Sequence, residues 1–254
     1  IVALAGGDES WACVPIQGSG TFAVEAAIGT FVPRDGKLLV LVNGAYGRRM
    51  KTIAAVMGRT VSTLIFDETV PVDPDVLDQA LRDDPHVTHV ALVHCETTTG
   101  VLNPVQAVGD VVAAHGRRLL LDTMSAFGAL PVDVKTLPLD ALMASSNKCL
   151  EGVPGMGFVV AAIDTLRGAE GNAHSLSLDL HQQQVAFARN GQWRFTPPTH
   201  CILAFDQALK EFDAEGAVAG RGGRYRENCE VLVAGMRAMG FETLLPDSLQ
   251  APII

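Results

Sequence analysis

The sequence predicts an α/β fold in which a mostly parallel β-sheet is covered by helices on both faces. Between residues 37 and 162, short apolar runs of strand length alternate with longer runs that have helix signals. The chain has 254 residues and is 48% hydrophobic, which is enough for a large core. Polar residues gather where the apolar runs end, as they do at the carboxyl edge of parallel sheets.

The strands are predicted from apolar runs that are bounded by turn residues or charges. They cover residues 37–42, 61–66, 87–94, 118–122, 139–144 and 158–162. The first of these strands ends in the turn Asn43-Gly44. Residues 1–7 and 11–16 are also apolar, but these runs are too short to assign.

The helices are predicted from the segments between these strands, over residues 46–57, 74–81 and 104–115. An alanine-rich helix also follows the Gly-Ser-Gly-Thr turn at residues 18–21. Asp73 is the expected N-cap of the helix that begins at Pro74, because its carboxylate accepts from free N–H groups and proline tolerates the first turn.

A second unit is predicted after about residue 165, where the pattern changes. Residues 168–194 are polar and poor in strand signals, residues 200–212 and 218–239 have helix patterns, and residues 241–245 are a predicted strand. We therefore expect a large domain over residues 1–200. Residues 201–254 are expected to hold connecting helices and the start of a smaller C-terminal domain.

Both ends of the chain are expected to continue beyond the sequence. The first residue is Ile1 rather than Met, and the last four residues are apolar, like a strand that is cut short. The basic run at residues 221–226 is expected to be the solvated start of a helix.

The composition argues against several classes of partner. The net charge of -9 and the lack of a basic cluster argue against nucleic-acid binding, and no apolar run is long enough to span a membrane. The five cysteines are an odd number without metal-ligand spacing, so we expect no metal site. Scattered reduced thiols favour a cytoplasmic protein.

Lys148 and Asp122 are the candidate catalytic residues. Lys148 lies in a polar turn between two strand-like runs, where a deprotonated lysine can attack a carbonyl to form an imine. Asp122 ends an apolar strand, where its carboxylate could keep the ring nitrogen of pyridoxal phosphate protonated. The alternatives are a solvated loop lysine and an aspartate that caps a helix or pairs with Arg118.

Ser19, Gly20 and Thr21 are a candidate anion site, because a helix that opens on small polar residues presents free N–H groups and the positive end of its dipole. Residues 18–23 also fit the dinucleotide pattern G-x-G-x-x-A, but the next strand ends in Asn43 rather than an acid. Cys149 could be a nucleophile, although a small buried side chain is the competing interpretation.

Seven motifs together resemble one family, the fold-type I aminotransferases of the alanine-glyoxylate and serine-pyruvate group. They are QGSGTF at 17–22, NGAYG at 43–47, HCETTTG at 94–100, DTMSAFG at 122–128, SNKCLEGVPG at 146–155, SLSLDL at 175–180 and GQWRFTPPTH at 191–200. The last two are most similar to members that move the amino group of 2-aminoethylphosphonate to pyruvate. The resemblance runs almost from end to end.

The resemblance implies a pyridoxal 5'-phosphate enzyme, a role for each motif residue, and a homodimer with shared active sites. Lys148 would bind the cofactor covalently and Asp122 would pair with its ring nitrogen. Ser19, Gly20, Thr21 and Asn147 would hold the phosphate, Tyr46 would stack on the ring, Thr97 would reach the ring hydroxyl, and Thr196 would contact the phosphate from the neighbouring subunit.

The function that the resemblance implies is transfer of an amino group from 2-aminoethylphosphonate to a 2-oxo acid, pyruvate, in phosphonate catabolism. The alternatives are an aminotransferase that uses alanine or serine with glyoxylate, a nucleotide-binding oxidoreductase, and a truncated chain that binds the cofactor without turnover. A phosphonate dianion needs local cationic donors. Arg48, Arg49 and Arg194 are the candidates, and a surface salt bridge is the alternative for each.

Overall fold

The computed structural model describes residues 1–253 of the chain. Seven strands in this range form one sheet. The strands in chain order are β1 (Trp11–Gln17), β2 (Lys37–Val42), β3 (Thr60–Ile65), β4 (Val87–Val93), β5 (Cys95–Glu96), β6 (Val101–Leu102), β7 (Arg118–Asp122), β8 (Leu139–Ser145) and β9 (Met156–Ala162). The order across the sheet is β1-β9-β8-β7-β4-β2-β3, while β5 and β6 form a separate antiparallel pair.

The centre of the sheet is parallel and its β1 side is antiparallel. Strands β8, β7, β4, β2 and β3 run parallel, whereas β9 is antiparallel to both β8 and β1. Every residue of β8 is buried, as expected for a central strand covered on both faces. Strand β1, which the sequence left unassigned, alternates between buried and half-buried residues before its exposed last residue.

Helices cover both faces of the sheet, so the predicted fold class is confirmed. The helices are α1 (Gly20–Phe31), α2 (Ala45–Val56), α3 (Pro74–Asp83), α4 (Val105–Ala114), α5 (Ile163–Gly168), α6 (Leu180–Asn190), α7 (Thr199–Ala214) and α8 (Ala217–Ala238). Helices α1 and α2 share one core with the sheet, and α3, α4 and α7 share the other.

The polar stretch 168–194, where the sequence predicts no element, contains helix α6, whose N-cap Asp179 accepts from Gln182 N. Two expectations from the sequence need correction. Residues 241–245 form no strand. The basic run at residues 221–226 is solvated only in part, because Arg221 is 2% exposed whereas Arg224 and Arg226 are exposed. By contrast, Asp73 caps α3 as expected and accepts a hydrogen bond from Asp75 N.

The two-unit division at residue 200 stays a prediction. Helix α7 follows that boundary, yet its side chains Phe205 and Phe212 are buried in the core that the sheet shares with α3 and α4. None of the helices within residues 1–253 is long and apolar enough to cross a membrane.

The topology brings the candidate residues to one edge of the sheet. The parallel strands β2, β4, β7 and β8 all end at that edge, and the polar segments that follow them lie side by side. Strand β1 ends at the same edge, since it pairs antiparallel with β9 and its last residue lies opposite Met156. Helix α1 therefore begins beside the ends of the central strands.

Candidate active site

A cavity of about 170 Å³ lies at this edge and is lined by seven of the predicted site residues. Its walls come from the start of α1, the first turns of α2, the segment after β7 and the turn after β8. The predicted residues that line it are Ser19, Gly20, Thr21, Tyr46, Asp122, Asn147 and Lys148. Four distant segments thus contribute to one concave site, which favours a functional interpretation over independent structural roles.

Lys148 lies in a tight turn between β8 and β9. The turn is closed by backbone bonds from Gly152 N to Ser146 O at 2.7 Å and from Ser146 N to Met156 O at 3.1 Å. The Lys148 side chain lines the cavity, and within residues 1–253 its amine makes no hydrogen bond or ion pair. An amine without such a partner is available for reaction with a carbonyl.

A buried arginine from α8 binds the backbone of this turn. Arg221 donates from Nη1 to the carbonyl oxygen of Cys149 at 2.5 Å, and its Nε donates to Glu215 at 2.6 Å. Glu151 also contacts α8, because it accepts from Arg224 at 2.8 Å. Sequence reasoning missed this anchor, since nothing in a short basic run distinguishes a buried arginine from solvated ones.

Asp122 is a buried carboxylate at the floor of the cavity. It is 3% exposed, and its Oδ1 accepts from Met124 N at 2.9 Å. The pKa of Asp122 is raised to about 6, chiefly by burial and also by the charge of Glu96, while Met124 N–H, Arg49 and Lys148 act in the opposite direction. The alternative pairing with Arg118 is wrong, because Arg118 donates to Asp140 at 2.5 Å.

The start of α1, where the sequence predicts an anion site, lies in the wall of the cavity. Ser19 is the N-cap residue, but its hydroxyl makes no capping hydrogen bond and so stays available to a ligand. Gly20 and Thr21 follow as the first helical residues, where N–H groups lack partners inside the helix. The three residues line the cavity, and Asp122 is the one acidic residue among those that line it. A negatively charged ligand at the helix start would therefore face little repulsion.

Tyr46 and Arg49 enter the cavity from α2. The Arg49 guanidinium lies 4.8 Å from the centre of the Tyr46 ring, and its Nη1 is 3.5 Å from Thr21 Oγ1. Arg49 is the only one of the three candidate arginines that lines this cavity. Arg48 instead forms an ion pair with Glu68, and Arg194 donates to Leu176 O.

Thr97 and Thr196 are the two predicted residues that do not line the cavity. The Thr97 hydroxyl lies 2.7 Å from Ser125 Oγ, and Ser125 does line it, so Thr97 stands directly behind the wall. Thr196 lines a different cavity, together with Gly18 and Phe22. Within its own chain, Thr196 is therefore not brought to the site that holds Lys148.

The competing interpretations of this region gain no support. Cys149 is 6% exposed, and burial raises the pKa of its thiol to about 11, which makes it a poor nucleophile. Asn43, at the position where a dinucleotide site needs an acid, is buried and bonded to Asn103. No group of three His, Cys, Asp or Glu side chains within residues 1–253 is arranged to hold a metal ion.

The sequence is similar to a known family over nearly its whole length. A model of the class-V aminotransferases matches residues 11–246. The 2-aminoethylphosphonate–pyruvate transaminase of Pseudomonas putida is 55% identical over 254 residues, which is 100% of this chain and 69% of that protein. The transaminase of the same name from Pseudomonas aeruginosa is 53% identical over 100% of this chain and 68% of its own length.

Solved structures with the same fold also include aminotransferases. The alanine–glyoxylate aminotransferase from Nostoc sp. superposes with a TM-score of 0.91 at 25% identity, covering 99% of this chain and 67% of that one. The pyridoxamine–pyruvate aminotransferase from Mesorhizobium loti superposes with a TM-score of 0.86 at 26% identity, covering 94% and 62%. The chain thus spans about two thirds of the length of the proteins it matches.

Proposed function

Because the chain belongs to the class-V aminotransferase family, we propose that it moves the amino group of 2-aminoethylphosphonate to pyruvate, giving phosphonoacetaldehyde and alanine. The observation that carries this proposal is the single cavity that joins the Lys148 amine, the buried Asp122 carboxylate and the start of α1. The relatives that are 53% and 55% identical over the whole chain carry the name of this activity and support the choice of substrates.

Aminotransferases of this family use pyridoxal 5'-phosphate, and the residues of the cavity fit that group. Ser19, Gly20 and Thr21 offer hydroxyl and N–H donors for a phosphate. Asp122 is a buried carboxylate that no cation within residues 1–253 pairs with, so a protonated ring nitrogen would supply the missing positive charge. Lys148 offers an amine to the aldehyde.

When it is bound, the cofactor supplies the carbonyl that takes up the amine and the ring that accepts electrons from the reacting carbon. The Lys148 amine would hold and move the proton that leaves the amine-bearing carbon. Asp122 would keep its negative charge toward the ring nitrogen, and Tyr46 would offer an aromatic face at the cavity wall. Asn147 would add a donor to the phosphate site.

The choice of amino donor follows from the charge of a phosphonate. A phosphonate is a dianion near neutral pH and needs cationic donors close to its oxygens. The net charge of -9 argues against general attraction, so the donors must be local, and Arg49 is the cavity-lining arginine. The fold of the Nostoc alanine–glyoxylate enzyme favours a second candidate, transfer from alanine or serine to glyoxylate.

A comparison of kcat/KM for the two donor–acceptor pairs tests the proposed substrates. We expect 2-aminoethylphosphonate with pyruvate to be preferred by about 100-fold or more, because a site built for a charged group loses several kcal/mol when that group is absent. A preference for alanine or serine with glyoxylate would contradict the substrate assignment. A protein that binds the cofactor but transfers no amino group from any donor would favour the truncated chain without turnover.

We propose further that the active site is shared between two subunits of a homodimer. Thr196 lines no part of the Lys148 cavity in its own chain, which fits a role in the site of a neighbour. Thr97 stands behind Ser125 and would act within its own chain, near the ring hydroxyl. The five free cysteines fit a reducing compartment and support a cytoplasmic location.

Mixed dimers test the shared site. Lys148→Ala removes the reacting amine, and Thr196→Glu places a carboxylate where it repels the cofactor phosphate. Each variant alone is expected to be nearly inactive. If Thr196 serves the neighbouring subunit, mixing equal amounts of the two should restore about a quarter of wild-type activity, because about half of the dimers are mixed and each mixed dimer regains both residues in one of its two sites. No recovery after verified subunit exchange would contradict the shared site.

A further inference from the structure

The first turn of α2 is held by a carboxylate from another part of the chain. Glu96 is fully buried, and its two carboxylate oxygens lie 3.4 Å from Tyr46 N and 3.5 Å from Gly47 N. Glu96 Oε1 also accepts from Thr98 Oγ1 at 2.7 Å, and Thr98 Oγ1 in turn accepts from Ala45 N at 3.0 Å. Three consecutive N–H groups of the helix start are thus met by one residue pair.

The backbone at the start of α2 is shaped to admit this carboxylate. A Cβ added to Gly44, the N-cap residue of α2, would lie 2.2 Å from both Cγ and Cδ of Glu96. Glycine therefore provides the space in which Glu96 reaches the helix. Since Gly44 has no side chain, it cannot cap the helix itself, and Glu96 replaces the usual capping side chain.

The helix turn that Glu96 holds is also a wall of the cavity. Tyr46 donates its N–H to Glu96 and lines the cavity with its ring, and Arg49 lies one turn further along the same face. On the other side, the negative charge of Glu96 acts on Asp122 and raises its pKa, while Arg49 and Lys148 act in the opposite direction. Glu96 thus binds the start of α2 by hydrogen bonds and acts on Asp122 through its charge.

We propose that Glu96 is a positioning residue of the active site, whose carboxylate fixes Tyr46 and Arg49 at the cofactor cavity through the start of α2. The proposal rests on the proposed cofactor function. Glu96 itself is buried beneath the helix start and does not line the cavity, so it acts through these neighbours and not on the reacting atoms.

Binding of pyridoxamine 5'-phosphate to the cofactor-free protein tests this role without turnover. This probe has the ring nitrogen and the phosphate but no aldehyde, so it does not react with Lys148. For Glu96→Gln we expect affinity about tenfold weaker near pH 8, because a neutral amide interacts less with the helix start. We also expect the loss of affinity on acidification to begin at lower pH, because removing the Glu96 charge lowers the pKa of Asp122.

Two further variants separate the parts of the argument. Thr98→Val keeps the carboxylate but removes the hydroxyl that links it to Ala45, so it should weaken binding severalfold. The acid limb, that is, the pH range over which acidification weakens binding, should be unchanged. Glu68→Gln is the matched control, since Glu68 pairs with the Arg48 side chain and not with the helix start. Its affinity and acid limb should equal those of the wild type.

The outcomes distinguish this inference from the proposed function. A wild-type protein that does not bind the probe would contradict the cofactor site as a whole. Wild-type binding together with an unchanged Glu96→Gln variant would overturn the role of Glu96 alone, and so would weaker binding with an unmoved acid limb. If Glu96→Gln does not fold, wild-type affinity in Thr98→Val would overturn the proposal.

Discussion

Replacing Lys148 by alanine is expected to lower turnover by ~10⁴-fold or more, since the variant loses both the amine that binds the cofactor and the group that moves the proton. Borohydride is expected to fix pyridoxal 5'-phosphate to the wild-type protein and not to the variant. Steady-state rates and the mass of the reduced protein measure the two effects. The fold should persist, because the side chain has no hydrogen-bond partner within residues 1–253.

Lys210→Ala provides the control for this experiment. Lys210 lies on the exposed side of α7 and pairs with Asp206 at 2.6 Å, far in sequence from the turn after β8. Its loss should leave both turnover and borohydride labelling unchanged, because exposed ion pairs contribute little. Peptide mapping that finds the fixed cofactor on Lys135 or Lys210 would show that Lys148 is not the reacting residue.

Asp122→Asn is expected to reduce turnover by ~10²–10³-fold and to stabilise the cofactor-free protein. An amide cannot hold the ring nitrogen protonated, so the reacting carbon loses its electron sink. The free energy of unfolding of the cofactor-free protein should change in the opposite direction to turnover. Because burial raises the pKa of Asp122 from 3.8 to about 6, its contribution to the folding free energy is present below about pH 4 and is lost as pH rises through about 6.

Thermal unfolding of the cofactor-free proteins between about pH 4 and pH 8 measures the second effect. The wild type should lose stability across this range relative to Asp122→Asn, which carries no titrating group at this position. Asp140→Asn is the matched control, because Asp140 is also a buried strand aspartate but pairs with His89 and Arg118. It should lose stability and keep turnover per folded molecule. Near wild-type turnover in Asp122→Asn would remove Asp122 from the mechanism.

The residues that line the cavity could be predicted from the sequence where a reactive residue type stands at a predicted strand end. Asp122 ends β7 and Lys148 follows β8, so the parallel topology alone brings both to one edge. The role of Tyr46 came from the resemblance, and the structure places the residue at the cavity wall. Strand β1 escaped assignment because a short apolar run is ambiguous until its partner β9 is known.

The contacts that hold the site in place could not be predicted, since they join segments far apart in the sequence. The sequence does not indicate that Glu96 caps a helix. Capping signals are read from the residue next to the helix start, and for α2 that residue is Gly44. The contact of Arg221 with the site could not be predicted either. Its partners lie in the turn after β8, and a basic run gives no signal of burial before the packing is known.

The bond between Arg221 and Cys149 also sets an order of events during folding. The two residues are 72 positions apart, so the turn that holds Lys148 gains this anchor only after a long loop has closed. Strands β8 and β9 can pair earlier, since a short connection joins them and local pairing precedes distant contacts. On a ribosome, β8 and β9 would thus pair while Lys148 still lies on an unanchored turn, and α8 would bind that turn only after the helix has emerged and docked. A pulse of protease during refolding should therefore cut near residues 148–152 for longer than it cuts within β8 and β9.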